Sequence, residues 1–204
     1  MNRTSHGRVV DEAEDDATII GKSALEPEQF AAIFDRHAPY IHRYLARRLG
    51  RAVADDLVAE TFLVAFRKRQ QYDPQRRDAR PWLYGIATNL VGQQRRDELR
   101  EYRLRRVLSV ERDEASHADQ VAADVTAQAL HRLLAEALAE LSPGDRDVLL
   151  LIAWEELTYE EVAAALAIPV GTVRSRLNRA RKKVRNALGE TNPSTAFEES
   201  PSNG

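Results

Sequence analysis

The residues best suited to binding a charged partner lie in one segment, IPVGTVRSRLNRARKKVRNAL, from Ile168 to Leu188. Its basic side chains are Arg174, Arg176, Arg179, Arg181, Lys182, Lys183 and Arg185, and its second half holds no acid. Arginine can pair with guanine through two hydrogen bonds and asparagine with adenine, and arginine and lysine both bind phosphate. The segment thus carries the side chains of a helix that reads nucleic acid. A solvated basic helix or a polybasic anchor would show the same charge.

The spacing of the apolar residues separates these alternatives. Apolar side chains recur at helical spacing at Val173, Leu177, Ala180, Val184 and Leu188. Upstream, Thr158 and Glu161 fit a capping box that starts a shorter partner helix. Ala167, Ile168 and Pro169 form a tight turn, in which Ala167 stands where such motifs often have glycine. We therefore predict a helix-turn-helix whose second helix packs on one side and enters a DNA groove on the other.

Position along the second helix predicts the role of each residue. Gly171 and Thr172 fall in the first turn, where backbone N–H groups and a hydroxyl can hold a phosphate. The residues expected to reach base edges are Arg174, Ser175, Asn178 and Arg179. Those expected to bind the DNA backbone are Arg181, Lys182, Lys183 and Arg185.

The composition limits the class of protein. The chain has 204 residues, 43% of them hydrophobic and 30% charged, with a formal net charge of −2. It has no cysteine, which excludes disulfides, thiolate zinc sites and thiol nucleophiles. No apolar run approaches the ~18 residues of a membrane span, and the first residues lack the apolar stretch of a secretory signal. We expect a cytoplasmic protein without a membrane segment.

Charge and hydrophobic spacing together predict an all-α fold of two small helical domains. Residues 11–16 are acidic, residues 67–106 basic and residues 111–140 acidic again, which indicates two surfaces for a polyanion. We expect an acidic disordered tail over 1–26, a first domain over 27–108 and a flexible acidic linker over 109–126. A second domain with the helix-turn-helix follows over 127–189, and a disordered tail over 190–204.

Three helices are expected in the first domain. One begins at Glu28, with a kink or break at Pro39 and a stop at Gly50. The second begins near Asp55, with acids in its first turn and bases in its last. The third begins at Pro81 and continues as a long basic helix.

Three motifs, in order, resemble a known family. VAAALAIPVGTVRSRLNRARKKVR resembles region four of the extracytoplasmic-function (ECF) sigma factors, the small promoter-specificity subunits of bacterial RNA polymerase. DDLVAETFLVAFRKR is similar to the polymerase-binding helix of their region two, and RPWLYGIATNLVGQQRR to their promoter-melting helix. Together the matches cover about residues 28 to 188.

The resemblance implies three groups of site residues. The polymerase-binding group is Asp55, Asp56, Leu57, Glu60, Thr61 and Phe62. The group for the downstream (−10) promoter element is Tyr72, Arg76, Arg77, Arg80, Trp82, Tyr84, Asn89, Arg95 and Arg96, with residues 72–79 forming a pocket for a flipped base. The group for the upstream (−35) element is Gly171, Thr172, Arg174, Ser175, Arg176, Asn178, Arg179 and Lys183. Helix capping is an alternative explanation of Asp55 and Asp56, and core packing is one of Trp82.

The resemblance also implies partners and an activity. The protein is expected to bind core RNA polymerase at the largest-subunit clamp and at the flap, to direct it to promoters and to help melt them. An anti-sigma factor is a further expected partner, and no enzymatic activity, cofactor or metal is expected. One alternative is a helix-turn-helix regulator that binds DNA as a dimer without polymerase. The other is an enzyme, which the five histidines do not support because only His37 and His42 lie near each other in sequence.

Overall fold

The structure is a computed structural model that describes residues 14–108 and 125–189. Within those ranges all regular elements are helical, which confirms the all-α fold. The α-helices are α1 (Asp16–Lys22), α2 (Ala31–Leu49), α3 (Arg51–Lys68), α4 (Arg80–Leu108), α5 (Val125–Ala139), α6 (Pro143–Ala153), α7 (Tyr159–Leu166) and α8 (Val170–Gly189). Short 3-10 turns precede α2 and follow α3, at Pro27–Phe30 and Arg69–Gln71. The predictions for residues 1–13, 109–124 and 190–204 lie outside the described residues.

The chain forms two compact units, the first ending at Ala87 and the second beginning at Thr88. The boundary between the units thus falls inside α4. The sequence predicted it further along the chain, in the linker over residues 109–126. Buried positions of α4 continue as far as Val91, whereas the side chains from Asp97 to Arg103 are all exposed. The apolar stripe that gives α4 a packed face therefore covers only its N-terminal part.

The first unit begins with a helix that the sequence analysis missed. Asp15 caps α1 by accepting a hydrogen bond from the Thr18 backbone N–H at 2.9 Å. Ile19 and Ile20 are buried. The prediction of a disordered tail is therefore wrong for residues 14–26. A helix of seven residues is too short for hydrophobic spacing to reveal it, and the acids that suggested a tail are its cap and first turn.

The corner between α2 and α3 is formed by Gly50. Its φ of +84° is a conformation that favours glycine, and its N–H donates to the Ala46 carbonyl at 2.9 Å. α2 runs unbroken through Pro39, so the break considered there does not occur. α3 begins at Arg51, directly after the corner, and not near Asp55 as predicted.

Aromatic pairs fill much of the first core. Phe30 meets Phe66 edge-on with ring centroids 5.4 Å apart, and Tyr44 meets Tyr84 in the same way at 5.3 Å. Tyr44 and Tyr84 are fully buried. Such pairs stabilise by about 0.5–1.5 kcal/mol beyond their area burial. The Tyr44–Tyr84 pair fixes the start of α4 against α2, and the Phe30–Phe66 pair fixes the turn before α2 against α3.

The second unit is organised by caps and a tight turn. Ser142 caps α6, and Thr158 and Glu161 form the predicted capping box at the start of α7. Ala167 ends α7 in the left-handed conformation, with φ 51° and ψ 46°, and the Ile168 N–H donates to the Ala163 carbonyl at 3.0 Å. α7, this turn and α8 are the predicted helix-turn-helix.

Candidate nucleic-acid interface

The orientation of α8 about its own axis is set by three buried side chains, Val173, Leu177 and Ala180. Val184 and Leu188 continue the stripe and are half-buried. The apolar side of α8 is the one that the sequence predicts. The opposite side of the helix therefore faces solvent.

A polar row lies on the solvent side of α8. We call Arg174, Asn178, Arg181 and Arg185 the outer row. All four are exposed, and their spacing places them on one helix face. Ser175, beside the row, is also exposed, and its hydroxyl donates to the Thr172 carbonyl at 3.0 Å. This face offers the donors that read guanine and adenine edges.

Arg176 and Arg179 lie on another flank of α8, beside the first turn of α6. Arg179 contacts Asp145 through Nη2 at 2.9 Å and through Nε at 3.4 Å. The Arg176 guanidinium lies against Gly144, where an added Cβ would be only 2.6 Å from its Nη1. The sequence grouped both arginines with Arg174. The structure separates them because α6 packs along this flank.

Asp145 is a buried carboxylate that orients Arg179. Burial raises the pKa of Asp145, but the hydrogen bond from Arg179 and the charge of Arg176 outweigh it, so the pKa lies below its usual value. At neutral pH the ionised carboxylate therefore holds the guanidinium through charge-assisted contacts. The Arg179 side chain is still 57% exposed. It can reach a partner from this fixed position.

The remaining predicted upstream contacts are at the start and the middle of α8. Gly171 is exposed, with open space where a Cβ would stand, and Thr172 is half-buried. The N–H groups of Thr172 and Val173 donate to the Pro169 carbonyl at 2.8 and 3.1 Å. Lys183 is exposed. An anion can approach the first turn of α8 without a steric obstacle from Gly171.

The acids of α3 face solvent. Asp55 and Asp56 are exposed, and Asp55 Oδ1 lies 3.0 Å from His42 Nε2. Because α3 begins at Arg51 after Gly50, neither acid caps the helix or lies in its first turn. The helix-capping explanation of this pair is therefore wrong. Their negative charge is displayed on the surface.

The other predicted polymerase-binding residues are half-buried or buried. Leu57 and Glu60 are half-buried. Thr61 is buried, with its hydroxyl donating to the Leu57 carbonyl at 2.6 Å, and buried Phe62 packs edge-on against Phe34 at 4.9 Å. Thr61 and Phe62, both predicted polymerase contacts, are therefore not on the surface of the first unit. They shape the helix from within.

Residues 72–79, which we call the downstream loop, begin with a buried tyrosine. The Tyr72 hydroxyl donates to the Arg76 carbonyl at 2.7 Å, and its ring lies 4.9 Å from that of Trp82. Burial raises the pKa of Tyr72, and the Asp16 carboxylate raises it further. Tyr72, a predicted DNA contact, is buried and supports the loop from below. Trp82 is half-buried.

Tyr84, a predicted DNA contact, lies inside the core of the first unit. Its ring is fully buried against Tyr44. Residues two apart point to nearly opposite sides of a helix, so Trp82 and Tyr84 cannot share a face. Further along α4, Asn89 and Arg96 are exposed and seven residues apart, which places them on one face. Half-buried Arg95 lies off that face.

Arg76, Arg77 and Arg80 lie around the downstream loop. Arg76 and Arg77 are exposed, and Arg80 is half-buried. Arg76 Nε lies 3.3 Å from Asp73 Oδ2 within the loop. Arg77 Nε donates at 2.8 Å to Asp15, which lies outside it.

Sequence reasoning missed three residues below this loop: Asp15, Asp16 and His37. His37 carried a signal, because it occupies a buried position of α2 between Ile33 and Ile41. A buried polar residue in an apolar stripe requires a hydrogen-bond partner. Here the partner is Asp16, whose Oδ2 lies 2.8 Å from His37 Nε2.

Two family models match the chain, in the order that the motifs predict. Sigma-70 region 2 matches residues 33–101, and sigma-70 region 4 matches residues 131–184. The RNA polymerase sigma factor CarQ of Myxococcus xanthus is 37% identical over 164 residues, which cover 80% of this chain and 91% of CarQ. The ECF RNA polymerase sigma factor SigL of Mycobacterium tuberculosis is 35% identical over 176 residues, 85% of this chain and 97% of SigL.

Solved structures show the same fold. The sigma factor RpoE of Bartonella quintana, in complex with the anti-sigma factor NepR, has a TM-score of 0.59 at 24% identity, covering 79% of this chain and 98% of RpoE. CnrH, in complex with the cytosolic domain of CnrY, also has a TM-score of 0.59, at 26% identity, covering 87% of this chain and 99% of CnrH.

A helix-turn-helix with an open polar row defines a DNA-binding protein of the transcription machinery. The chain belongs to the ECF RNA polymerase sigma factors. A polymerase-independent regulator is not favoured, because it would share the helix-turn-helix and not region 2. In the part of the chain that the structure describes, no helix is both long and apolar enough to cross a membrane.

Proposed function

We propose that this sigma factor binds core RNA polymerase through α3, captures the downstream promoter element at the downstream loop and α4, and reads the upstream element with α8. The observation that carries the proposal is the division of α8 into a buried stripe and an exposed outer row. A helix built in this way can pack on its own domain while its polar face lies in a major groove.

The upstream element would be read from two flanks of α8. Arg174 and Asn178 of the outer row are free to follow base edges, with Arg181 and Arg185 next along the row toward phosphate. Arg179 approaches from the flank that Asp145 fixes, and Arg176 from the surface of Gly144. The exposed outer row would supply contacts to the DNA, and the carboxylate of Asp145 would fix the direction from which Arg179 approaches it.

Polymerase binding would rest on the exposed carboxylates of α3. Asp55 and Asp56 project their charge, and Glu60, one turn further, is half-buried. A basic surface on the largest-subunit clamp is the complement that such acids need. Buried Phe62 and Thr61 would fix the helix and take no direct part.

Promoter melting would use the outer side of the downstream loop. Extracting a base from the stack costs a few kcal/mol, which contacts in a pocket must offset. In the first unit, half-buried Trp82 is an aromatic side chain that can stack on a base, and exposed Arg76 can donate to the strand. Asn89 and Arg96, exposed further along α4, remain predicted contacts to the same element. The protein would thereby act as an initiation factor, and RNA polymerase would catalyse RNA synthesis. Both would act in the same compartment.

An anti-sigma factor would compete for the first unit. RpoE of Bartonella quintana, which shares the fold, was solved with such a partner. In this chain Phe34 of α2 and Leu63 of α3 are 43% and 41% exposed and would add apolar contact area to such an interface. Covering α3 in this way would also block polymerase.

The test is run-off transcription with bacterial core polymerase and a library of promoters. The wild-type chain should select a subset of promoters with defined upstream and downstream elements. The Asp55→Lys/Asp56→Lys variant should lose co-purification with core while retaining its fold by circular dichroism. Glu26→Lys/Glu28→Lys, the same charge reversal at two exposed acids outside α3, is the matched control and should behave as wild type. Specific initiation by the double variant would refute the proposed role of α3.

A further inference from the structure

The acidic start of α1 is bound to the downstream loop by three hydrogen bonds. The Asp16 carboxylate accepts from the Ala79 backbone N–H at 2.8 Å, and the Asp16 N–H donates to the Arg77 carbonyl at 3.1 Å. Asp15 Oδ2 accepts from Arg77 Nε at 2.8 Å. α1 thus holds backbone groups on both sides of Asp78.

The carboxylate of Asp16 is itself firmly placed. It is buried, and besides the loop it accepts hydrogen bonds from His37 Nε2 and from the Arg36 guanidinium, both on α2. Burial raises the pKa of Asp16, but the hydrogen bonds from His37 and the Ala79 N–H outweigh it, so the pKa lies below its usual value. An ionised carboxylate with three kinds of donor is a rigid link between α2 and the loop.

We propose that Asp15 and Asp16 are positioning residues for capture of the downstream element. They fix the end of the downstream loop where it enters α4, so that Arg76 and Trp82 meet an extracted base in a preformed arrangement. A loop that is ordered in advance loses less conformational entropy on binding. The inference rests on the proposed function of that loop. It gives the acidic N-terminal segment a role that its sequence alone did not reveal.

A metal site is the main competing explanation. Asp16, His37 and Asp78 each offer one ligand atom, and these atoms lie within 4.8 Å of one another. Both oxygens of Asp16 already accept hydrogen bonds, and Asp78 Oδ1 accepts from the Arg80 N–H at 2.8 Å. A cation would also have to displace the Arg36 guanidinium. The arrangement is therefore that of an internal hydrogen-bond cluster.

The first experiment uses full-length Asp16→Asn in holoenzyme with core polymerase. The readout is affinity for a fluorescent single strand carrying the downstream element, and for the same strand with its key base replaced. Asparagine keeps the shape of Asp16 and loses its charge. Because the loop is then held less firmly in the arrangement that binds the base, we expect affinity for the cognate strand to fall roughly tenfold. Discrimination against the replaced base should fall with it.

The second experiment covers the case in which Asp16→Asn fails to fold. Asp15→Asn retains an N-cap residue, since asparagine caps as well as aspartate, but it removes the charge beside Arg77. We expect a few-fold loss of base discrimination, absent in an Arg77→Gln background, where Asp15 has no guanidinium to hold. Affinity for core and for duplex upstream DNA should change less than twofold in both Asp variants. Glu28→Gln is the matched acid control.

The outcomes separate this inference from the function on which it rests. If Trp82→Ala weakens single-strand binding while Asp16→Asn and Asp15→Asn leave discrimination intact, the positioning role is overturned and the loop function stands. If Trp82→Ala has no effect either, both are overturned. A purely structural role would lower the melting temperature and reduce core, upstream and downstream binding in proportion, with unchanged base preference. That result would also contradict the proposal.

Discussion

Two buried aspartates, Asp16 in the first unit and Asp145 in the second, serve the two candidate DNA surfaces in different ways. Asp145 contacts the head group of an arginine on the reading helix itself. Asp16 lies on a separate helix and contacts the backbone of the loop that it serves. The first arrangement orients one side chain, and the second orients a whole segment. Substitution at Asp145 should therefore act locally, and substitution at Asp16 should act on both stability and binding.

The largest expected difference is in stability. Asp16→Ala would leave His37, Arg36 and the Ala79 N–H without their shared acceptor, and breaking a buried ion pair costs about 3–5 kcal/mol. Asp145→Ala should cost less, because the Arg179 side chain is more than half exposed and can be hydrated. Urea unfolding can be followed separately in each unit with Trp154→Phe, which leaves Trp82 as the reporter of the first unit, and with Trp82→Phe, which leaves Trp154 as the reporter of the second. An equal loss in both variants would contradict the comparison.

The second prediction concerns the two flanks of α8. Arg174→Ala and Arg179→Ala should each cost about 1–3 kcal/mol on the cognate upstream element and relax specificity. Asp145→Asn should reproduce the specificity loss of Arg179→Ala with a smaller loss of affinity, because the guanidinium remains but is no longer fixed. Lys183→Ala should weaken all sequences alike. Fluorescence titrations of holoenzyme against a set of upstream-element variants measure both quantities.

A sequence-dependent loss for Lys183→Ala would show that α8 is rotated relative to DNA from the orientation proposed. An unchanged specificity profile for Asp145→Asn would show that Arg179 does not depend on its carboxylate.

The third prediction compares how the stability of the two units falls as the pH is lowered. Hydrogen bonds from Arg77 and Thr18 lower the pKa of Asp15 from 3.8 to about 2, and the pKa of Asp16 and Asp145 is also lowered. A carboxyl group with a depressed folded-state pKa stabilises fully above its unfolded value and less as pH falls through the folded value. Stability should therefore be lost between about pH 4 and pH 2. The first unit, with two such groups, should show the steeper loss by Trp82 fluorescence.

Asp15→Asn should flatten that loss in the first unit and leave the Trp154 signal unchanged. A Trp154 transition that shifts with Asp15→Asn would mean that the units do not unfold independently.

The sequence predicted the parts of the site that follow from periodicity and short-range caps. Val173, Leu177 and Ala180 gave the orientation of α8, and Thr158 with Glu161 gave the start of α7. The sequence did not predict roles that depend on contacts between distant segments of the chain. The local sequence does not show that Arg179, unlike Arg174, is held by a carboxylate, because that carboxylate lies on α6. Nor does it show that Tyr84 is more deeply buried than Trp82, because Tyr84 packs on α2. Asp16 reaches Ala79 across 63 positions of sequence, which no spacing rule can reveal.

The smallest expected effects come from the two turns that lead into α3 and α8. Gly50 has φ +84° and Ala167 has φ 51°, so both occupy backbone conformations in which a Cβ is strained, but only the first is glycine. A left-handed backbone conformation costs an L-residue roughly 1–2 kcal/mol. Glycine removes this strain but has greater freedom in the unfolded chain, which offsets part of the gain. Ala167→Gly should therefore stabilise the second unit by about 1 kcal/mol or less. Gly50→Ala should destabilise the first unit by more than that, because φ +84° with ψ 163° is a conformation essentially restricted to glycine. Urea midpoints from Trp154 and Trp82 test the two changes in one protein. Destabilisation by Ala167→Gly would show that the Ala167 methyl group makes a packing contribution larger than the backbone strain it causes.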